Sequence, residues 1–140
     1  MSRSRAGRRA LFVATAVALV SWAAPAFAGT YLNRAALLLS AAGREAAFLR
    51  VRLGDRELAR VVHRLAVARL EAARTMTVPK EVEQAHPHLL LVLENYRQAT
   101  EAATLGEHER FAIYYQRALD EERTFRAVLK QLGWLLPQGP

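Results

Sequence analysis

Apolar side chains recur at spacings of three and four residues along four segments of this chain, and no other feature constrains the fold as strongly. The first stripe runs from Leu32 to Leu53, the third from Leu89 to Ala103 and the fourth from Phe111 to Leu132. The sequence contains no run of alternating apolar and polar residues bounded by hairpin turns, the pattern typical of β-strands. The chain is therefore predicted to be all-α.

The second segment is rich in apolar residues, and its predicted core-facing stripe follows one line along a helix. Residues on such a line lie on one face because an α-helix completes a turn every 3.6 residues. The predicted stripe consists of Leu58, Val61, Leu65, Ala68 and Ala72, widened by Val62 and Leu70.

Short connections separate these segments and carry residues that end and begin helices. Gly54 is predicted to adopt the left-handed conformation that ends the first helix, and Asp55 to cap the second. Gly106 and Glu107 repeat this pair 52 residues later. Duplication of a helical hairpin and chance similarity in a chain rich in Leu and Ala both explain the repeat.

Long helices joined by short connections must fold back on their neighbours, which predicts an antiparallel up-down-up-down four-helix bundle built from two helical hairpins. Pro87 interrupts the third segment, so a short lead-in helix and a fresh start are expected there. Residues 29–76 carry nine basic and four acidic side chains, whereas residues 77–140 carry seven and nine. The two predicted hairpins therefore have opposite net charge.

The N-terminus has the three parts of a cleavable signal peptide. Four arginines and no acid precede an apolar run at 10–22, and Ala26-Phe27-Ala28 then supplies small side chains for cleavage before Gly29. The sequence thus predicts a signal peptide at 1–28, a single domain at 29–140 and export to the periplasm or the extracellular space. Two alternatives stay open: an uncleaved membrane anchor, and twin-arginine export through Arg8-Arg9.

The charge of the chain depends strongly on that segment. The formal net charge is +7, and removing residues 1–28 with their four arginines lowers it to +3. Much of the argument for a nucleic-acid partner disappears with the signal, and none is predicted. The chain has no cysteine, so disulfides and cysteine-ligated metals are excluded.

Candidate metal ligands cluster around Pro87. Glu83 and His86 have the E-x-x-H spacing of carboxylate-bridged di-iron bundles, and His88 or His63 could add an imidazole. A second E-x-x-H motif is missing from the sequence, and Met76 with a histidine is the only mixed axial pair for haem. No cofactor is therefore predicted, with a divalent metal or haem kept as the alternative.

Two further features bear on function. Glu121 or Glu122 falls inside the fourth apolar stripe. It pairs with an arginine such as Arg60, Arg64 or Arg97, stays unpartnered as a candidate acid or ligand, or reaches the bundle edge. The tail segment 134–136, Trp-Leu-Leu, either folds onto the bundle or presents an apolar patch to a partner. Ser40 is the only serine after residue 28, and no catalytic motif surrounds it.

The sequence thus favours an exported, non-enzymatic binding or structural module. Metal or haem binding in the periplasm is one alternative. An envelope stress or chaperone-like role is another, in which the arginine-rich first half makes weak contact with a membrane surface. A protein partner or self-association is compatible with each, and no membrane-spanning segment is expected after cleavage.

Overall fold

The protein is described by a computed structural model that gives the backbone of residues 11–138 and the side chains of residues 27–138. The described residues contain helices joined by short connections and no β-strand, which confirms the all-α prediction and is consistent with a helical bundle. The helices are α1 (Leu11–Arg50), α2 (Arg56–Arg74), α3 (His86–Thr104) and α4 (His108–Gln131), with a short 3₁₀ helix at Lys80–Val82 before α3.

Helix α1 is continuous through the expected cleavage point between Ala28 and Gly29. Residues 1–10, which contain the arginine-rich start of the predicted signal peptide, lie outside the described residues, as do the side chains of residues 11–26. The signal peptide therefore stays a prediction. Over the part of the chain that the structure describes, no helix is both long enough and apolar enough to cross a membrane.

Helix α3 lies at the centre of the packing, because it contacts α4 and α2 extensively and also contacts α1. The predicted stripes of α1, α3 and α4 face the core. One apolar cluster joins Tyr31 and Leu39 of α1 to Tyr96 of α3 and Phe125 of α4. A smaller cluster, around Leu49 and Phe111, closes the end of the bundle near the α1–α2 connection.

The face that α2 buries differs from the predicted one. Val61 and Leu65 are 50% and 41% exposed, although the sequence places them in the core. The buried line is shifted by about one residue and contains mostly small side chains: Ala59, Val62, Ala66, Leu70 and Ala73. Three of these five residues are alanines, whereas Val61 and Leu65 are left on the outside.

The two glycine-containing connections have different geometries. Asp55 Oδ1 accepts a hydrogen bond of 2.9 Å from the Leu58 N–H, which confirms the predicted cap of α2. Gly106 is left-handed with φ of 73°, but Gly54 is not, so the prediction for Gly54 was wrong. Glu107 precedes α4 without a side-chain capping bond. The sequence repeat therefore does not extend to matching connections.

The start of α3 and the tail follow the predictions. The 3₁₀ helix ends at Val82, and α3 starts afresh at His86 with Pro87 in its first turn, where a missing N–H costs no helical bond. After α4 the Trp134 N–H donates to the Leu129 carbonyl at 2.9 Å. Trp134 and Leu136 then pack against the larger cluster, so the tail folds back onto the bundle.

Candidate functional site

His86 connects three helices, since it lies at the start of α3 and contacts both α1 and α2. Its Nδ1 lies 3.0 Å from the Tyr31 hydroxyl of α1, and the two rings meet edge to face with centroids 5.7 Å apart. Burial lowers the pKa of His86, and a hydrogen bond to the Ala73 carbonyl at the end of α2 partly opposes that effect. His86 of α3 therefore links α1 and α2 through its hydrogen bonds.

The other candidate ligands point to different parts of the bundle. His63 Nδ1 of α2 lies 3.0 Å from Thr100 Oγ1 of α3, and His88 Nδ1 lies 2.5 Å from Glu121 Oε1 of α4. Glu83 is exposed. Residues 27–138 contain no group of three or more His, Cys, Asp or Glu side chains placed to hold a metal ion. The structure thus does not bring the predicted ligands together.

Both glutamates of the fourth stripe are half-buried, and neither uses the arginines considered from the sequence. Glu121 pairs with His88, and Glu122 pairs with Arg126 one turn along α4 at 2.7 Å. Arg97, one of those arginines, instead contacts Glu94 at 2.8 Å on its own helix. All of these groups lie on α3 and α4.

The most distinctive surface is an apolar face on the outside of the α1–α2 hairpin, here called the outward face. The residues of this face are exposed to solvent and have apolar side chains, including alanines. Two of them, Phe48 and Leu37, lie on α1 and are 50% and 57% exposed. The α2 members lie on one line of the helix and are the residues first predicted to be core: Val61, Leu65, Ala68 and Ala72.

An ion pair between Glu45 of α1 and Arg69 of α2 lies in the seam between these helices. Two hydrogen bonds join the guanidinium and the carboxylate. The connection 51–55 is short and α1 contacts α2, so the two helices run antiparallel and this pair sets their register. Phe48 is three residues beyond Glu45, which places it at the level of residues 65 and 66.

Helical geometry places the apolar residues of both helices on the same side of that seam. Each residue turns an α-helix by about 100°. Leu49 therefore lies on the core side of Glu45 and Phe48 on the other side, as their burial shows. By the same rotation, Leu65 lies on the outer side of Arg69. Phe48 and Leu65 therefore lie side by side across the two helices, and Leu37 extends the outward face along α1 beyond the end of α2.

Arginines surround the outward face. Arg34 and Arg52 lie on its α1 side, Arg60 and Arg64 border it on α2, and all four are exposed. The guanidinium carbon of Arg52 lies 3.9 Å from the centroid of the Phe48 ring, a cation–π contact.

Few acidic groups oppose this positive charge. Glu45 is neutralised by Arg69, and Glu71 at the outer border lies 3.7 Å from Arg74. Glu57 is the other acid on the exposed side of α2. The surface around the outward face is therefore positive.

A cleft of about 360 Å³ lies near the start of the described part of α1. Phe27 and Arg34 of α1 and Thr77 of the following loop line it, with Thr30 and Tyr31. Phe27 stands before the predicted cleavage point, so cleavage would remove part of the wall.

The sequence prediction missed the outward face because it assigned the α2 residues of this face to the core. The available signal was that α2 carries two apolar lines, one through Val61 and Leu65 and another through Val62 and Leu70. A surface helix needs a single apolar stripe of about 100° or more to cover a core. A second line beside it indicates a surface available to a partner.

Comparison of the chain with protein-family models, with curated proteins and with solved structures gave no match.

Proposed function

We propose that this protein is an exported binding module whose working surface is the outward face. In this account residues 1–28 are removed as a signal peptide. The remaining up-down-up-down bundle of two helical hairpins acts in the periplasm or outside the cell, without catalysis. The arginine-rich start, the apolar run at 10–22 and the Ala26-Phe27-Ala28 site support export.

The observation that carries the proposal is the exposure of the second apolar line of α2 beside Phe48. The buried line of α2 already packs against the core, so the outer side of this helix could carry polar side chains. Instead it carries Val61 and Leu65, which are about half exposed. Contiguous apolar patches bordered by polar groups mark interaction sites, since exposing them to water is unfavourable. The same surface would serve a chaperone-like role on unfolded clients.

Retention in the cell envelope tests this proposal. The variant Val61→Gln/Leu65→Gln makes the outward face polar without touching the buried line of α2. The matched control is Leu91→Gln/Ile113→Gln, which changes two side chains that are each 47% exposed on α3 and α4. We expect the first variant to be released by a mild salt wash that leaves the wild type and the control bound. Equal retention of both variants would contradict the proposal.

A further inference from the structure

We infer that the outward face docks on an anionic lipid surface, such as a leaflet rich in phosphatidylglycerol. This inference rests on the proposed function and names its partner. Amphipathic helices that lie in a membrane interface combine an apolar face with flanking basic side chains. The outward face has this composition, with Phe48 and Leu65 in its middle and Arg60 and Arg64 at its border.

The basic side chains are suited to phosphate. Each of the four arginines around the face carries a guanidinium that can donate two parallel hydrogen bonds to a phosphate group. Arg52 covers the Phe48 ring, so its charge sits directly above an aromatic group available for insertion at the headgroup level. The guanidinium of Arg52 and the ring of Phe48 would therefore contact the lipid headgroup region at the same place.

The distribution of charge over the molecule favours one orientation. The half that carries the outward face, residues 29–76, has nine basic and four acidic side chains. Residues 77–140, which form the other half, have seven basic and nine acidic side chains. A negative surface attracts the first half and repels the second, so the outward face meets the membrane.

The same charges disfavour a second copy of the chain as the occupant. In a two-fold symmetric dimer the outward face would pack against itself, because such interfaces join identical patches. Arg60 and Arg64 of both copies would then lie at one interface and concentrate positive charge there. An anionic lipid leaflet neutralises this charge instead.

Vesicle sedimentation tests the inference. The protein is purified from the envelope in its natural processed form, with its N-terminus determined by mass spectrometry. It is then mixed with vesicles of equal parts phosphatidylglycerol and phosphatidylcholine, or of phosphatidylcholine alone. We expect binding to the anionic vesicles, weak binding to the neutral ones, and loss of binding as salt shortens the screening length from about 10 Å to about 3 Å.

Charge-matched variants locate the contact. Arg60→Gln/Arg64→Gln should weaken binding to the anionic vesicles by about 30-fold, since each basic residue near such a surface contributes about fivefold. Arg117→Gln/Lys130→Gln removes the same charge from α4, away from the face, and should leave binding within about twofold of wild type.

Each other result overturns the inference. Equal binding to both vesicle types, equal loss in the two charge variants, or no binding to anionic vesicles would exclude lipid docking by this face. Absence of vesicle binding together with envelope retention that still depends on Val61 and Leu65 would indicate a protein partner and leave the proposed function standing. Loss of that dependence would refute the proposed function itself.

Discussion

Two buried tyrosines predict opposite effects of the same substitution. Tyr31 and Tyr96 are each 1% exposed, and burial raises the pKa of both hydroxyls above the ordinary value. The Tyr31 hydroxyl has a partner in His86, whereas the Tyr96 hydroxyl is buried without a hydrogen-bond partner among the described residues. Tyr31→Phe should therefore destabilise the protein, and Tyr96→Phe should stabilise it.

The magnitudes follow from the hydrogen bonds gained or lost. A typical intramolecular hydrogen bond contributes about 1 kcal/mol net, so Tyr31→Phe should lower the free energy of unfolding by about that amount. A buried polar group without a partner costs about 1 to 3 kcal/mol. Removing the Tyr96 hydroxyl recovers part of this cost, for a gain of about 1 kcal/mol. In a domain of this size, each change corresponds to about 4 °C in Tm.

Thermal unfolding followed by circular dichroism measures both variants, and alkaline pH adds a second test for Tyr96. Burial keeps Tyr96 protonated in the folded state, and electrostatic interaction with Glu122 and Tyr115 adds to the rise in its pKa. The raised pKa leaves the free energy of unfolding unchanged below pH about 10. Above that pH the unfolded chain releases the proton first, so the protein loses stability as pH rises. Tyr96→Phe should reduce this loss. A lower Tm for Tyr96→Phe would refute the reasoning.

Four other perturbations test the contacts and the backbone of the bundle. The lowered pKa of His86 predicts that this residue contributes its full stabilisation above pH about 6.5. That stabilisation is lost as pH falls, because the unfolded chain binds the proton more readily than the folded protein does. The fall in Tm between about pH 7.5 and about pH 5.5 should thus be smaller in His86→Gln. Gly43→Ala in α1 should raise the free energy of unfolding by about 0.5 to 1 kcal/mol, whereas Gly106→Ala, at φ of 73°, should lower it by about 1 kcal/mol. A double-mutant cycle of Glu45→Gln and Arg69→Gln should give a coupling of about 1 kcal/mol.

Controls for these measurements come from the same chain. The exposed pair of Asp120 and Arg123 on α4 should couple by less than about 0.5 kcal/mol in an equivalent cycle. If Asp120 and Arg123 couple as strongly as Glu45 and Arg69, the ion pair between α1 and α2 contributes no more to stability than an exposed pair does. An unchanged pH profile in His86→Gln, or a gain in stability from Gly106→Ala, would contradict the corresponding explanation.

Periodicity predicted the helices and most of the core correctly, for a physical reason. The stripes of α1, α3 and α4 each offer one apolar line that includes large side chains, such as Leu39, Leu89 and Phe125, and burying such lines dominates folding. Asp55 was predictable as a cap because its contact is local. The left-handed conformation assigned to Gly54 was not correct, since several backbone geometries can end a helix.

The candidate site was harder to predict, because it depends on which of two apolar lines α2 turns inward. Hydrophobicity alone favours the line through Val61 and Leu65. Close packing against two neighbours favours the line of Ala59, Val62 and Ala66, and that choice is made by tertiary contacts that spacing does not reveal. The partner of Glu121 could likewise not be predicted from the sequence, because His88 lies on another helix.

The central claim is that the outward face contacts a partner in the cell envelope, and site-specific photo-cross-linking tests it most directly. A photoreactive amino acid is placed at Leu65 on the outward face or, as a control, at Ile113 on α4, where exposure is similar. After irradiation of intact cells, lipid and protein adducts are measured by mass spectrometry. The account predicts abundant adducts from position 65 and few from position 113. Equal yields from the two positions, or none from position 65, would contradict it.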